Sequence, residues 1–151
     1  MISRHFYGRA VARKTYLLVS IGAACVLSSC GSSTESLESA KRGVMIFHAQ
    51  LDTEQYAAAY AASDDRLRRA TSQPDFIKLL EAVHRKLGTV EQANLQNTRF
   101  AWYTGQGAPV TLIYATKFST GSANEQFVWH IKSGAATLYG YNIDSDDLIT
   151  R

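Results

Sequence analysis

The stretch VTLIYATKFSTGSANEQFVWHIKSGAATLYGYNI, residues 110–143, decides the fold. Its apolar residues recur at every second place. Val110, Leu112, Tyr114 and Phe118 alternate with Thr111, Ala115 and Lys117. Phe127, Trp129 and Ile131 alternate with Gln126, His130 and Lys132, and Tyr139, Tyr141 and Ile143 follow. Successive side chains of a strand point to opposite faces, so a period of two predicts strands with one apolar face. Thr120-Gly121-Ser122 and Ser133-Gly134 interrupt the alternation with turn-forming residues. Strands joined by connections this short are antiparallel neighbours.

Upstream, residues 90–104 read as one more long strand, with Phe100 and Trp102 on one face and Ala101 and Tyr103 on the other. The run 105–109, GQGAP, turns the chain into the next strand. Before Gly88 the period is helical. Ser72 caps, Pro74 comes early, and Phe76, Leu79, Leu80, Val83 and Leu87 share a face. Arg85 and Lys86 complement the macrodipole in the last turn, and Gly88 stops the helix. Leu37, Val44, Phe47, His48 and Leu51 form an earlier helical face, weakened at Gly43 by about 1 kcal/mol relative to alanine. Residues 51–55 read as a break, with Asp52 or Thr53 as the next N-cap. Tyr56, Ala59, Tyr60 and Ser63 share the following face, and residues 63–69 read as a polar corner. An antiparallel sheet with one apolar face must be covered, and helices are the only cover available. The prediction is an α+β domain, N-terminal helices packed on a four-stranded antiparallel curved sheet.

Helices leading into a long curved meander resemble the cystatin-like cone shared with the nuclear-transport-factor superfamily. The carrying features are the Asp52…Tyr56…Tyr60…Ser63 pattern and Lys86-Leu87-Gly88 entering the sheet. The resemblance extends to small secreted bacterial domains of unknown function. It implies a cavity between concave sheet and helices, and Tyr60, Trp102, Tyr114, Trp129 and Tyr139 are the candidate pocket residues.

The N-terminus gives an address. Arg4, Arg9, Arg13 and Lys14 precede the apolar run YLLVSIGAACVL, residues 16–27. A basic segment, a short apolar core and small residues before a cut make a secretory signal. The apolar run is short of the roughly 20 residues a spanning helix needs. Leu27-Ser28-Ser29-Cys30 resembles the lipobox of bacterial lipoproteins. That resemblance implies cleavage before Cys30 and lipid attachment to its thiol, with two or three acyl chains on one residue. One chain holds weakly and stable anchoring takes two. Gly31, where an aspartate would favour inner-membrane retention, leans towards the outer membrane of a Gram-negative host. The expected organisation is a signal peptide over 1–29, a flexible tether over 30–35, a domain over 36–144 and a fraying polar tail over 145–151.

Charge follows from that organisation. The whole chain has a net charge of +3, but residues 1–29 hold four of its 16 basic residues and none of its 13 acids. The remaining 122 residues therefore carry −1, which argues against a nucleic-acid partner. With Cys25 in the signal and Cys30 lipidated, no thiol remains for a disulfide.

Chemistry is sparse. His48, His84 and His130 lack metal-ligand spacing. No nucleophile elbow or phosphate loop is present, so no cofactor and no catalytic residue is assigned. His48 reads as a core or boundary histidine, and Asp64-Asp65, beside Arg66, Arg68 and Arg69, as a solvated corner. Glu91 and Glu125 lie near strand ends, away from the position of a catalytic base. Three functions are expected to compete. The first is a non-catalytic envelope binding module. The second is a pocket protein for a small apolar ligand, isomerase- or hydrolase-like. The third is a homodimer through the sheet.

Overall fold

A computed structural model describes residues 31–101 and 109–150. Four helices come first: α1 (Gly31–Asp52), α2 (Tyr56–Ala61), α3 (Asp65–Ala70) and α4 (Gln73–Leu87). The strands follow: β1 (Val90–Phe100), β2 (Pro109–Phe118), β3 (Ser122–Lys132) and β4 (Ala135–Asp144), with a short α5 (Asp146–Thr150) last. The strands pair antiparallel in chain order β1-β2-β3-β4, so the predicted α+β architecture is the one adopted. Cys30 and Trp102 lie outside the described residues, as does the expected extension of β1 beyond Ala101.

The alternation sets the inner face. In β2, Val110, Leu112, Tyr114, Thr116 and Phe118 are buried, and in β3, Ala123, Glu125, Phe127 and Trp129 are. Helix α1 lies across β2, β3 and β4 and covers this face with Ala40, Val44, Phe47 and Leu51. Helix α4 buries Phe76, Leu80, Val83 and Leu87 in the same core, while Leu79, expected on that face, stays exposed at its edge. Irregular register in β1, between Val90 and Gln92 and between Leu95 and Asn97, bends the sheet, as does the step at Val128 and Trp129. Ser133 and Gly134, both at positive φ, form the two-residue turn between β3 and β4. Among the described residues no helix is long and apolar enough to cross a membrane.

Several local expectations are corrected. Residues 31–35 are not a flexible tether but the first part of α1. Nothing in Ser32, Ser33 or Thr34 breaks a helix that is pinned further on, where Ser39 Oγ donates to the Gly134 carbonyl at 2.8 Å. Neither Asp52 nor Thr53 caps α2. Gln55 precedes that helix without a side-chain cap, Asp52 Oδ1 accepts from the Val90 amide at 2.9 Å, and Thr53 Oγ1 donates to the Ala49 carbonyl at 2.6 Å. The polar corner over 63–69 is largely helix α3, because extended Asp64 accepts from the Arg66 amide and Leu67 is buried. The tail does not fray at once. It forms α5, whose Leu148 packs on the core while Ser145 Oγ donates to the Ser122 carbonyl at 2.6 Å.

Gly88 ends α4 as expected, its amide donating to the His84 carbonyl at 2.9 Å. Its φ of 81° and ψ of −156° lie in a region that L side chains avoid, and a Cβ there would overlap Ser119 Oγ. Gly88→Ala is expected to cost about 1–3 kcal/mol. A lowered urea midpoint at unchanged slope would report it.

Candidate functional site

The inner row of β3 carries a carboxylate. Glu125, expected near a strand end, is the fourth residue of β3, sits two residues before Phe127 and is completely buried. The alternation that turns Phe127 and Trp129 inward turns Glu125 inward too. A buried carboxylate needs donors, and three elements supply them. Glu125 Oε2 takes hydrogen bonds from His48 Nε2 of α1 at 2.9 Å and from Thr116 Oγ1 of β2 at 2.5 Å. Tyr141 Oη of β4 donates to Oε1 at 2.8 Å. The tautomer with a proton on Nε2 lets His48 donate to Glu125. Burial first, then the Glu125 charge and its hydrogen bond, push the Tyr141 hydroxyl well above the usual tyrosine value, so it stays a donor. Phe47 and Phe127 wall the group, with ring centroids 4.8 and 5.1 Å from that of Tyr141.

This arrangement has acid–base composition, and Glu125 itself is fully buried. A void of about 140 Å³ beneath α1 is lined by Gly43, Phe47, Trp129 and Leu138 among others, and an open cleft of about 650 Å³ is lined by Thr116 and Asn124 among others; Glu125 lines neither. His48 is the core histidine its position implies, with a specific partner 77 residues away. Among the described residues no three potential metal ligands come together.

The expected pocket aromatics do not converge. Tyr114 and Trp129 are interior, with Trp129 stacked 6.2 Å from Phe127. Burial and the charge of Glu38 raise the Tyr114 hydroxyl above its ordinary value. Tyr60 belongs to the helices. Its hydroxyl donates to the Thr71 and Arg68 carbonyls at 3.0 and 3.2 Å, and its ring lies 5.6 Å from Phe76. Tyr139 falls at the β4 register step, under the Arg66 guanidinium at 5.5 Å. Side chains of α1 pack on the concave face and leave a void of about 140 Å³ there, which Trp129 helps to line.

A second constellation lies outside the core. His130 Nδ1 is 3.0 Å from Asp64 Oδ2, and Thr137 Oγ1 donates to the same oxygen at 3.5 Å. The Asp64 amide donates to the Leu138 carbonyl at 2.8 Å, tying the start of α3 to β4. Burial alone would raise the Asp64 pKa. Hydrogen bonds from the Arg66 amide and His130, with the charges of His130 and Arg66, hold it below the ordinary value. Asp64 is thus no solvated corner residue, whereas Asp65 is exposed and pairs with Arg68. The pair borders an open cleft of about 490 Å³ between α3 and the β3–β4 hairpin.

Asp64→Asn keeps a capping group and removes the charge facing His130. It is expected to cost about 1 kcal/mol at neutral pH. A carboxylate with a depressed folded pKa contributes stability above its unfolded pKa and loses it as pH falls through the folded one. Stability curves of wild type and variant should therefore converge below pH 3.8, the ordinary value beneath which the folded pKa lies.

A family model described as "Protein of unknown function (DUF4019)" matches residues 45–141. No curated protein matches the chain in sequence. Among solved structures, one similar chain is a provisionally assigned scytalone dehydratase from Novosphingobium aromaticivorans. It has 8% identity and a TM-score of 0.49 over 75% of this chain and 85% of that one. The family model spans well over half of the chain, from α1 through Glu125 to Tyr141, and the chain belongs to the DUF4019 family.

Proposed function

We propose that the chain is a lipid-anchored envelope protein whose extracytoplasmic domain is a non-catalytic binding or interaction module. Lipid on Cys30 tethers it, in a Gram-negative host to the outer membrane, facing the periplasm. The anchor rests on Leu27-Ser28-Ser29-Cys30 behind a basic segment and an apolar core. The non-catalytic reading is carried by one observation: Glu125, the best-placed acid–base group, is fully enclosed with both oxygens engaged. General acid–base chemistry needs a group within hydrogen-bond reach of substrate, and here that reach is occupied by protein. Binding then falls to the surface.

The testing experiment is intact mass of the protein extracted from its native membrane, beside a Cys30→Ser copy. The expected wild-type mass is that of a chain starting at Cys30 plus acyl chains, with the variant uncleaved. An unlipidated wild type would remove the anchor from this reading.

A further inference from the structure

We propose that the cleft between α3 and the β3–β4 hairpin binds a small phosphate-type dianion, an inference that rests on the binding-module reading and names its ligand class. Four cations border the cleft: Arg66, Arg68 and Arg69 from α3, and Lys132 from β3. Two acids face it, and both are engaged. Asp64 holds His130 and the Arg66 amide, and Asp65 holds Arg68. Counting its arginines, lysine and aspartates, the cleft carries a net charge of +2, the complement of a phosphate monoester. The ion pairs here are Arg68–Asp65 and His130–Asp64, and neither draws on Arg69 or Lys132.

Convergence separates this site from a solvated run of charge. Lys132 and His130 arrive from β3, more than 60 residues along the chain from the arginines of α3. Two of the cations are also held. Arg68 donates to the Ala61 and Ser63 carbonyls, and Arg66 rests on the Tyr139 ring. The hydrogen bond from the Asp64 amide to Leu138 fixes α3 against the hairpin. Guanidinium groups match phosphate oxygens in a bidentate fork, and a lysine adds a point charge. A cleft of about 490 Å³ is the size of small-ligand sites.

The shared chemistry is a phosphate monoester, either of a soluble metabolite or of a lipid headgroup. Calorimetry on the full chain in detergent would use glycerol 3-phosphate for the first and dihexanoyl phosphatidic acid for the second. The expected result is submillimolar binding of at least one probe, with the tighter one naming the source. Arg69→Gln combined with Lys132→Gln, both exposed, should weaken binding about tenfold or more through two lost charged contacts. Lys117→Gln, on the Glu91 pair elsewhere, should leave binding unchanged. No binding of either probe, or a double variant that binds like wild type, would overturn the site. The same preparation is incubated with p-nitrophenyl phosphate. Release of p-nitrophenol would overturn the non-catalytic reading and not the anion site. Absent binding without turnover would overturn the site alone.

Discussion

Replacing Glu125 with alanine is expected to destabilise the domain by about 3–5 kcal/mol, since three buried donors lose their acceptor at about 1 kcal/mol or more each. The loss strands three donors at once. His48, Thr116 and Tyr141 each point at a carboxylate whose acceptors alanine does not supply, at a position that is entirely enclosed. At this chain length the melting temperature should fall by roughly 10–20 °C. Glu125→Gln keeps the volume but sets an amide N–H₂ among donors, so a smaller loss of about 1–3 kcal/mol follows. Tyr141→Phe tests the same group through pH. A hydroxyl whose folded pKa is raised contributes stability that is full below its ordinary value of 10.0. That stability is lost as pH rises through the folded pKa. The wild type should therefore lose stability in base more steeply than Tyr141→Phe, measured by urea melts across alkaline pH. Glu125→Ala removes two of the three causes of the Tyr141 shift, leaving burial, and should also flatten the profile.

Trp129→Ala carries the second large effect, about 3–5 kcal/mol. The indole lies against α1 at Gly43, where a Cβ would come within 2.7 Å of the ring. A void of about 140 Å³ already adjoins this contact, so truncation would enlarge a cavity that α1 cannot close. The buried Nε1 has no hydrogen-bond partner among the described residues, which makes the loss one of packing. Trp129→Phe keeps one aromatic ring in the site and should accordingly cost less than Trp129→Ala, because the cavity it leaves is smaller. Gly43→Ala gains about 1 kcal/mol of helix propensity and meets the ring. It should destabilise wild type and be tolerated in the Trp129→Phe background, a coupling that a double-mutant cycle in urea would read.

The sheet was legible because alternation is local: each strand carries its own inner and outer rows, and the Ser133-Gly134 turn fixes antiparallel pairing. Helix α4 was legible because Ser72, Pro74 and Gly88 mark both ends. Helix α3 was hidden, since six residues hold too few apolar positions for a period and its cap, Asp64, looked like surface charge. Glu125 was the larger omission. Its place in the Phe127–Trp129 row was visible, but its charge argued against burial. His48, among Val44, Phe47 and Leu51, was the second half of the signal. A buried histidine and a glutamate on an inward row imply each other, yet the pairing spans 77 residues and no local pattern reports it. Composition does not distinguish a lined cavity from a filled one, so the aromatics alone do not report how much of the concave face α1 occupies or that a void of about 140 Å³ is left beside Trp129.

Backbone amide exchange on the full chain tests most directly whether the interior is sealed. Glu125 and Phe127 lie in the middle of β3, paired with Tyr114 and Leu112 on one side and with Ile143 and Tyr141 on the other. Their amides should exchange only through global unfolding, with protection matching the stability from urea melts. β1, exposed along most of its length, should exchange faster. Exchange at Glu125 and Phe127 as fast as in β1 would mean that the interior opens to solvent in the native state. That result would contradict a sealed core and make Glu125 accessible for chemistry.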